Sequence, residues 1–234
     1  MNRRRMVLCM GACLAALAGS AWRATGADAS ASGRPADAQV NQGAAVCCAN
    51  LVYAGTRSSV CFSDQFLSII ARDSTIQTVR KFRSVKLADA EIFQYPFCIM
   101  TGEGAFSLTD GERVNLRRYL ERGGFLLASA GCSSKEWDAS FRRELAGIFP
   151  DRALADIPLT HEIFNTVYPI GRLSTKHADA SLHGLVLDRK TVLIYSPDGL
   201  NDTATMHGCC CCGGNEIANA QQVNVNILAY ALLQ

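Results

Sequence analysis

Along residues 46–234, polar and apolar positions switch repeatedly between continuous apolar runs and helical periods. "VCCANLVYAG" predicts a strand that ends at Gly55, and "VCFSDQFLSIIARD" a helix with Val60, Phe62, Phe66, Leu67 and Ile70 on one side. "KFRSVKL" is a short alternating strand and "YPFCIMTG" a buried one. "LTDGERVNLRRYLERGG" carries the clearest helix signal. Thr109 and Glu112 are spaced as a capping box, Leu116 and Leu120 share a face, and Gly123-Gly124 stops the helix. "FLLASAG" is again an apolar strand, "SKEWDASFRRELAGIFP" a helix up to Pro150, and "TVLIYSPDGL" the last strong strand. "NEIANAQQVNVNILAYALLQ" closes the chain as a helix with Val223, Ile227, Tyr230 and Ala231 near one stripe.

Strands that are apolar throughout and separated by helices predict a doubly wound α/β domain with a mainly parallel sheet covered on both faces. Ligands of such sheets lie beyond the carboxyl ends of the strands. That rule gathers the unusual residues of this chain onto one rim. Arg57, Ser58, Ser59 and Cys61 follow the first strand; Thr101, Gly102 and Glu103 follow "FCIM". Cys132, Ser133 and Ser134 follow "FLLASAG". Ser196, Asp198 and the run Cys209, Cys210, Cys211 and Cys212 follow "TVLIY".

Before residue 46 the pattern changes. "MNRRR" is a positive start, "MVLCMGACLAALAGSA" an apolar stretch too short for a typical span, and Ala27-Asp28-Ala29 a small-residue cleavage pattern before Ser30. Residues 1–29 are therefore expected to be a signal peptide of the secretory or twin-arginine type, sending the chain to the periplasm or cell envelope. Residues 30–45, "SASGRPADAQVNQGAA", form a linker, and 46–234 a single domain. No later stretch is apolar enough for a bilayer, so no membrane span is expected in the mature chain. With 234 residues and 49% apolar composition, a sizeable core is expected. The net charge of +2 includes Arg3, Arg4 and Arg5, which leaves the remainder slightly acidic and sets nucleic acid aside as a partner.

The stretch from "YPFCIMTGEGAFSLTDGERVNLRRYLERGGFLLASAGCSSKEWDASF" to "RRELAGIFPDRALADIPLTHEIF", with "VLIYSPDGLND" and "VNVNILAYAL" after it, resembles the bacterial family of domain of unknown function 4159. The resemblance covers roughly residues 46–234 and implies a fold like that of class I glutamine amidotransferases, a flavodoxin-like α/β sandwich. It implies no established activity. The chain is similar to a cysteine-rich branch, since Ala130-Gly131-Cys132 stands where many members carry acidic residues.

Eleven cysteines are present, two of them in the expected signal. Cys98 belongs to a buried strand as a small core hydrophobe, and Cys47 and Cys48 point to opposite faces of the first strand. Four consecutive cysteines behind His207 and before Gly213-Gly214 demand another account. Cys209 and Cys212 form a C-x-x-C, half of a tetrahedral site, which Cys61 and Cys132 would complete with His207 as a nitrogen ligand. Cys210 and Cys211, between the two, are candidate sulfur ligands of the same site. All-sulfur ligation suits zinc, copper(I) or an iron–sulfur cluster. Disulfides, such as one from Cys132 to the run, explain the same residues in an exported protein. The implied amidotransferase-like fold offers a third use, Cys132 as the nucleophile of a cysteine-dependent hydrolase at a strand-to-helix elbow. G-x-C-x-G is absent, with Ala130 and Ser134 at its glycine positions, and no late His-x-Glu follows. A further alternative is an envelope interaction module, binding a protein partner, with purely structural cysteines. His161, His177 and His183 are expected as ordinary loop or surface residues.

Overall fold

A computed structural model of the chain describes residues 45–55, 57, 61–203 and 216–234. Seven strands form one sheet: β1 Cys48–Val52, β2 Arg83–Lys86, β3 Phe97–Gly102, β4 Phe125–Ala130, β5 Ala155–Asp156, β6 His183–Leu187 and β7 Lys190–Ser196. Their spatial order is β2-β1-β3-β4-β7-β6-β5. The first five in that order run parallel, and β6 and β5 add an antiparallel margin. The expected mainly parallel α/β sandwich is the fold of the described residues.

Helices cover both faces. α1 Gln65–Asp73 and α4 Ala220–Leu233 lie on one, α2 Asp110–Glu121 and α3 Lys135–Ile148 on the other. Alternation along the central strands feeds the two cores separately. Leu126 and Ala128 of β4 join the α2/α3 core, whereas Phe125 and Leu127 join the α1/α4 core. Cys47 and Cys48 part in the same way, one to each core. Burial pushes the Cys98 thiol up to about 12 and the Cys48 thiol higher still, which keeps both protonated and inert.

Several elements follow directly from local sequence. α2 starts at the capping box: Thr109 accepts from Glu112 N at 3.3 Å, and Glu112 Oε2 accepts from Thr109 N at 2.7 Å. α3 starts at Ser134, whose hydroxyl accepts from Trp137 N at 3.3 Å. Other elements depart from the pattern. α1 begins only at Gln65, because Ser63 N bonds the carbonyl of Asn201 at 2.8 Å and holds residues 61–64 outside the helix. α4 has no polar stripe: Asn224 and Asn226 are as buried as Val223 and Ile227. The segment after β5, with a 3₁₀ turn at Glu162–Asn165, covers its outer side, and Asn226 Oδ1 accepts from Val167 N and Tyr168 N at 3.1 and 2.8 Å. The β6–β7 hairpin turns through Asp188 and Arg189, both left-handed at φ 47° and 65°. Such a turn usually carries glycine or asparagine, so its sequence hides it. No helix among the described residues is long and apolar enough to cross a membrane.

Candidate functional site

The strand order reverses direction between β1 and β3, since β1 leads outward to β2 and β3 leads the other way to β4. A crevice at the carboxyl ends of such neighbours is where doubly wound sheets place ligands. Here it is bordered by the turn after β1, the end of β3 and the turn after β4.

After β1 the chain folds back tightly. Ala54 and Gly55 are left-handed at φ 49° and 88°, and Tyr53 and Arg57 exchange backbone hydrogen bonds of 2.8 and 2.9 Å. Glu112 grips this turn from α2, its Oε1 accepting from Ala54 N at 2.8 Å. Arg57 is thereby aimed across the crevice, where Nη1 donates to the Glu103 carbonyl at 3.2 Å. Beneath it, Trp137 Nε1 donates to Tyr53 Oη at 2.7 Å, and Tyr53 Oη donates to the Thr101 carbonyl at 3.0 Å. Burial pushes the Tyr53 phenol up to about 12. Gly102 is obligatory at this place, because a Cβ there would collide with the Tyr53 hydroxyl and meet Trp137 Nε1 at 3.0 Å.

After β4 the chain makes a 3₁₀ turn at Gly131–Ser133 before α3. Gly131 comes so close to β3 that a Cβ would lie 2.9 Å from the Gly102 carbonyl oxygen. Cys132 and Ser133 then both adopt the left-handed region, φ 50° and 53°, at a cost of about 1–2 kcal/mol each for residues with a Cβ. Their side chains are tied on opposite sides. Cys132 Sγ donates to Glu103 Oε1 at 3.4 Å, and Ser133 Oγ donates to the Asp198 carbonyl at 2.8 Å. Gly104 N bonds Ser134 Oγ at 3.1 Å and closes the same corner.

The loop after β7 completes the rim. Ser196 Oγ accepts from Gly199 N at 3.0 Å, and Leu200 N donates to Ser129 Oγ at 2.7 Å. Asn201 is the hub below. Its Oδ1 accepts from Ser129 Oγ at 2.7 Å and Thr101 Oγ1 at 3.2 Å, while its backbone carbonyl holds Ser63 N. The ends of β3 and β4 are thus tied to the loop after β7 through one buried amide. Asn224 supports the loop from α4, Nδ2 donating to the Leu200 carbonyl at 2.8 Å. Burial holds the Asp198 carboxyl above its ordinary range.

The rim therefore joins Arg57, Glu103 and Cys132 in one chain of contacts and ties Ser133 to Asp198, with Ser196 bonded to Gly199 in the same loop. Cys61 stands half-buried where the chain leaves the crevice for α1. Ser58, Ser59 and His207 lie outside the described residues. So do Cys209, Cys210, Cys211 and Cys212, and with them the expected meeting of that run with Cys132. Among the described residues no three histidine, cysteine or acidic side chains converge as metal ligands, and no disulfide joins two described cysteines. The described part of the expected ligand set, Cys61 and Cys132, is thus not gathered into a metal centre by itself.

Two residues at this end carry no local sequence signal. Asn201 is one. The other is His183, which corrects the expectation of an ordinary surface histidine. It begins β6 opposite Tyr195, and its Nδ1 lies 2.7 Å from Asp156 Oδ1. Burial first, then the nearby Arg142, hold the imidazole below its ordinary value against the pull of Asp156. Tyr195 donates to Asp138 Oδ1 at 2.5 Å, and Arg142 Nε donates to the same oxygen at 2.7 Å. His161 caps the 3₁₀ turn before Ile163, and His177 lies exposed in a loop.

Chemically, the centre of the rim is a thiol and a carboxylate in contact, with a guanidinium anchored beside them. Two anions at 3.4 Å repel each other, and a shared cation removes that repulsion. The proton of the S–H···O contact is one such cation and a metal ion is another.

No curated protein matches the chain. The family model described as domain of unknown function (DUF4159) matches residues 49–232, from inside β1 to the last turn of α4 and so through every element that builds the rim; the chain belongs to the DUF4159 family.

Proposed function

We propose that this domain is a binding protein of the cell envelope whose rim holds a soft metal ion. The observation that carries the reading is the 3.4 Å separation of Cys132 Sγ and Glu103 Oε1. A tetrahedral zinc ion, with thiolate at about 2.3 Å and carboxylate oxygen at about 2.0 Å, holds its two ligand atoms about 3.5 Å apart. The pair thus has the spacing of one edge of such a site before any ion arrives. The strained backbone of Cys132 supports the same reading, because side chains held at that cost cluster where function needs them. A thiolate beside a carboxylate favours zinc over copper(I) or an iron–sulfur cluster. Cys61, His207 and the run Cys209, Cys210, Cys211 and Cys212 are the candidates for the remaining ligands.

Metal analysis of the protein purified under reducing conditions tests this. About one zinc per chain is expected, falling severalfold in Cys132→Ser and in Glu103→Gln while the circular dichroism stays unchanged. Folded, reduced protein that takes up no zinc from a buffered solution would sink the reading.

One observation favours a second reading. Cys132 sits with φ 50° in a turn between a strand and a helix, with Glu103 as a neighbouring proton acceptor. That is the posture of a thiol nucleophile. Hydrolysis of an activated ester that is lost in Cys132→Ala and indifferent to chelators supports the hydrolase; hydrolysis that survives the substitution removes it. Export is proposed on the strength of residues 1–29, and N-terminal sequencing of envelope protein is expected to start near Ser30.

A further inference from the structure

Away from the rim, β2 is an edge strand of unusual charge. Among the described residues it pairs with β1 alone and ends the sheet. Arg83 and Lys86 lie exposed along it and Arg80 and Lys81 exposed just before it, in a chain whose net charge is only +2. None of them belongs to an ion pair among the described residues. The strand is held firmly from behind. Val85 is buried in the α2/α3 core, and Phe82 packs on Phe62 and Phe66 at ring distances of 6.2 and 5.8 Å.

The register shows which backbone groups remain open among the described residues. Leu87 N donates to the Val52 carbonyl at 2.8 Å, and Val52 pairs with Lys86. In a strand, N–H and C=O groups of alternate residues point to opposite edges, so Arg83, Val85 and Leu87 face β1. Ser84 and Lys86 face outward. Lys86 O accepts from Asp89 N at 3.0 Å in the following turn, which leaves the Ser84 N–H and C=O and the Lys86 N–H along the outer edge.

A second copy of this chain cannot add here, because antiparallel pairing of two such edges would set arginine and lysine against arginine and lysine. The same charge selects its complement. We infer that the β2 edge is a docking site for an extended acidic segment of a partner protein, which adds as an eighth strand and sets its carboxylates beside Arg83 and Lys86. Backbone bonds to Ser84 supply the attachment and the basic side chains the selectivity. Arg80 and Lys81, just before the strand, extend the field along the incoming chain.

The probe is a short capped peptide repeating two glutamates and two valines, which sets carboxylates on both faces of the added strand, titrated into the full chain by fluorescence anisotropy. Binding is expected, weakened severalfold between about 0.05 M and about 0.5 M salt. Arg83→Glu with Lys86→Glu is expected to weaken it about tenfold or more. Ser84→Pro removes an outward N–H without touching the bonds to β1, and is expected to cost about tenfold at unchanged charge. Should Ser84→Pro unfold, the same peptide N-methylated at alternate residues makes the test from the other side; it is expected to lose binding equally. No binding of the glutamate–valine peptide overturns the inference, and so does binding that ignores both Ser84→Pro and N-methylation. Attachment to phosphatidylglycerol vesicles without peptide binding would assign the charge to a membrane surface instead and equally overturn it.

Discussion

Ser129, at the end of β4, donates its hydroxyl to Asn201 Oδ1 at 2.7 Å, although the two residues are 72 positions apart. With Thr101 on the same oxygen, this bond makes a single amide the place where the strand ends and the loop after β7 are fixed to one another. Asn201→Ala leaves the Ser129 and Thr101 hydroxyls buried without that acceptor. A buried group that loses its partner costs about 1–3 kcal/mol, so a loss of roughly 2–4 kcal/mol is expected from urea unfolding. Ser129→Ala in the Asn201→Ala background should cost less than Ser129→Ala alone. Additive losses would show that the two side chains do not act together.

Gly102 and Tyr53 are predicted to be coupled through space. Gly102→Ala pushes a methyl group into the Tyr53 hydroxyl, which the Trp137 indole holds in place. A loss of about 1–3 kcal/mol is expected from the overpacking. Tyr53→Phe removes the colliding oxygen but strands the Trp137 N–H, at about 1–2 kcal/mol. In the double variant the collision is gone, so the combined loss should be smaller than the sum. A double-mutant cycle with no coupling would count against the packing described.

These two relationships also mark the limit of what local sequence discloses. Continuous apolar runs disclosed β1, β3, β4 and β7, and the Thr109–Glu112 spacing disclosed the start of α2, because each signal sits within a few residues. The rim position of Glu103, Cys132 and Asp198 followed from topology alone. Asn201 and His183 stayed hidden, since their roles come from partners that only the finished sheet brings near. β6 was hidden for a different reason: Asp188 and Arg189 take left-handed backbone without the glycine or asparagine that announces a two-residue turn. The burial of α4 on nearly all sides erased its periodicity.

His183 is expected to make the fold sensitive to mild acid. Its imidazole is held below its ordinary value of 6.5 chiefly by burial, with Arg142 adding to the effect and Asp156 and Asp138 opposing it. The unfolded chain therefore binds a proton at a pH where the folded chain does not. Stability from this residue is complete above about 6.5 and falls as the pH drops below that value, until the folded histidine is itself protonated. Asp198 acts with the opposite sign at lower pH, because burial raises its carboxyl and protonation then relieves the folded state. Thermal melts of the wild type between about pH 7 and about pH 5 should lose midpoint steadily, and His183→Gln should flatten that slope. An unchanged slope in the variant would move the effect to another group.

The last expectation concerns the cost of placing Cys132 where it is. At φ 50° and ψ 30° a side chain crowds the backbone, and glycine does not. If the turn keeps this conformation for the sake of the thiol, the fold should gain when the side chain is removed altogether. Cys132→Gly is expected to be more stable than Cys132→Ala by about 1 kcal/mol, since both lose the Glu103 contact and only alanine keeps the Cβ. Cys132→Ser retains a donor toward Glu103 and should lie close to wild type in stability, while losing zinc as Cys132→Gly does. Denaturant midpoints and metal content, read on the same four proteins, therefore separate backbone strain from ligation. Equal stability of the glycine and alanine variants would mean that the left-handed turn carries no strain at Cys132. Its geometry would then follow from the bonds of Ser133 to Asp198 and of Ser134 to Gly104, with the thiol only carried along.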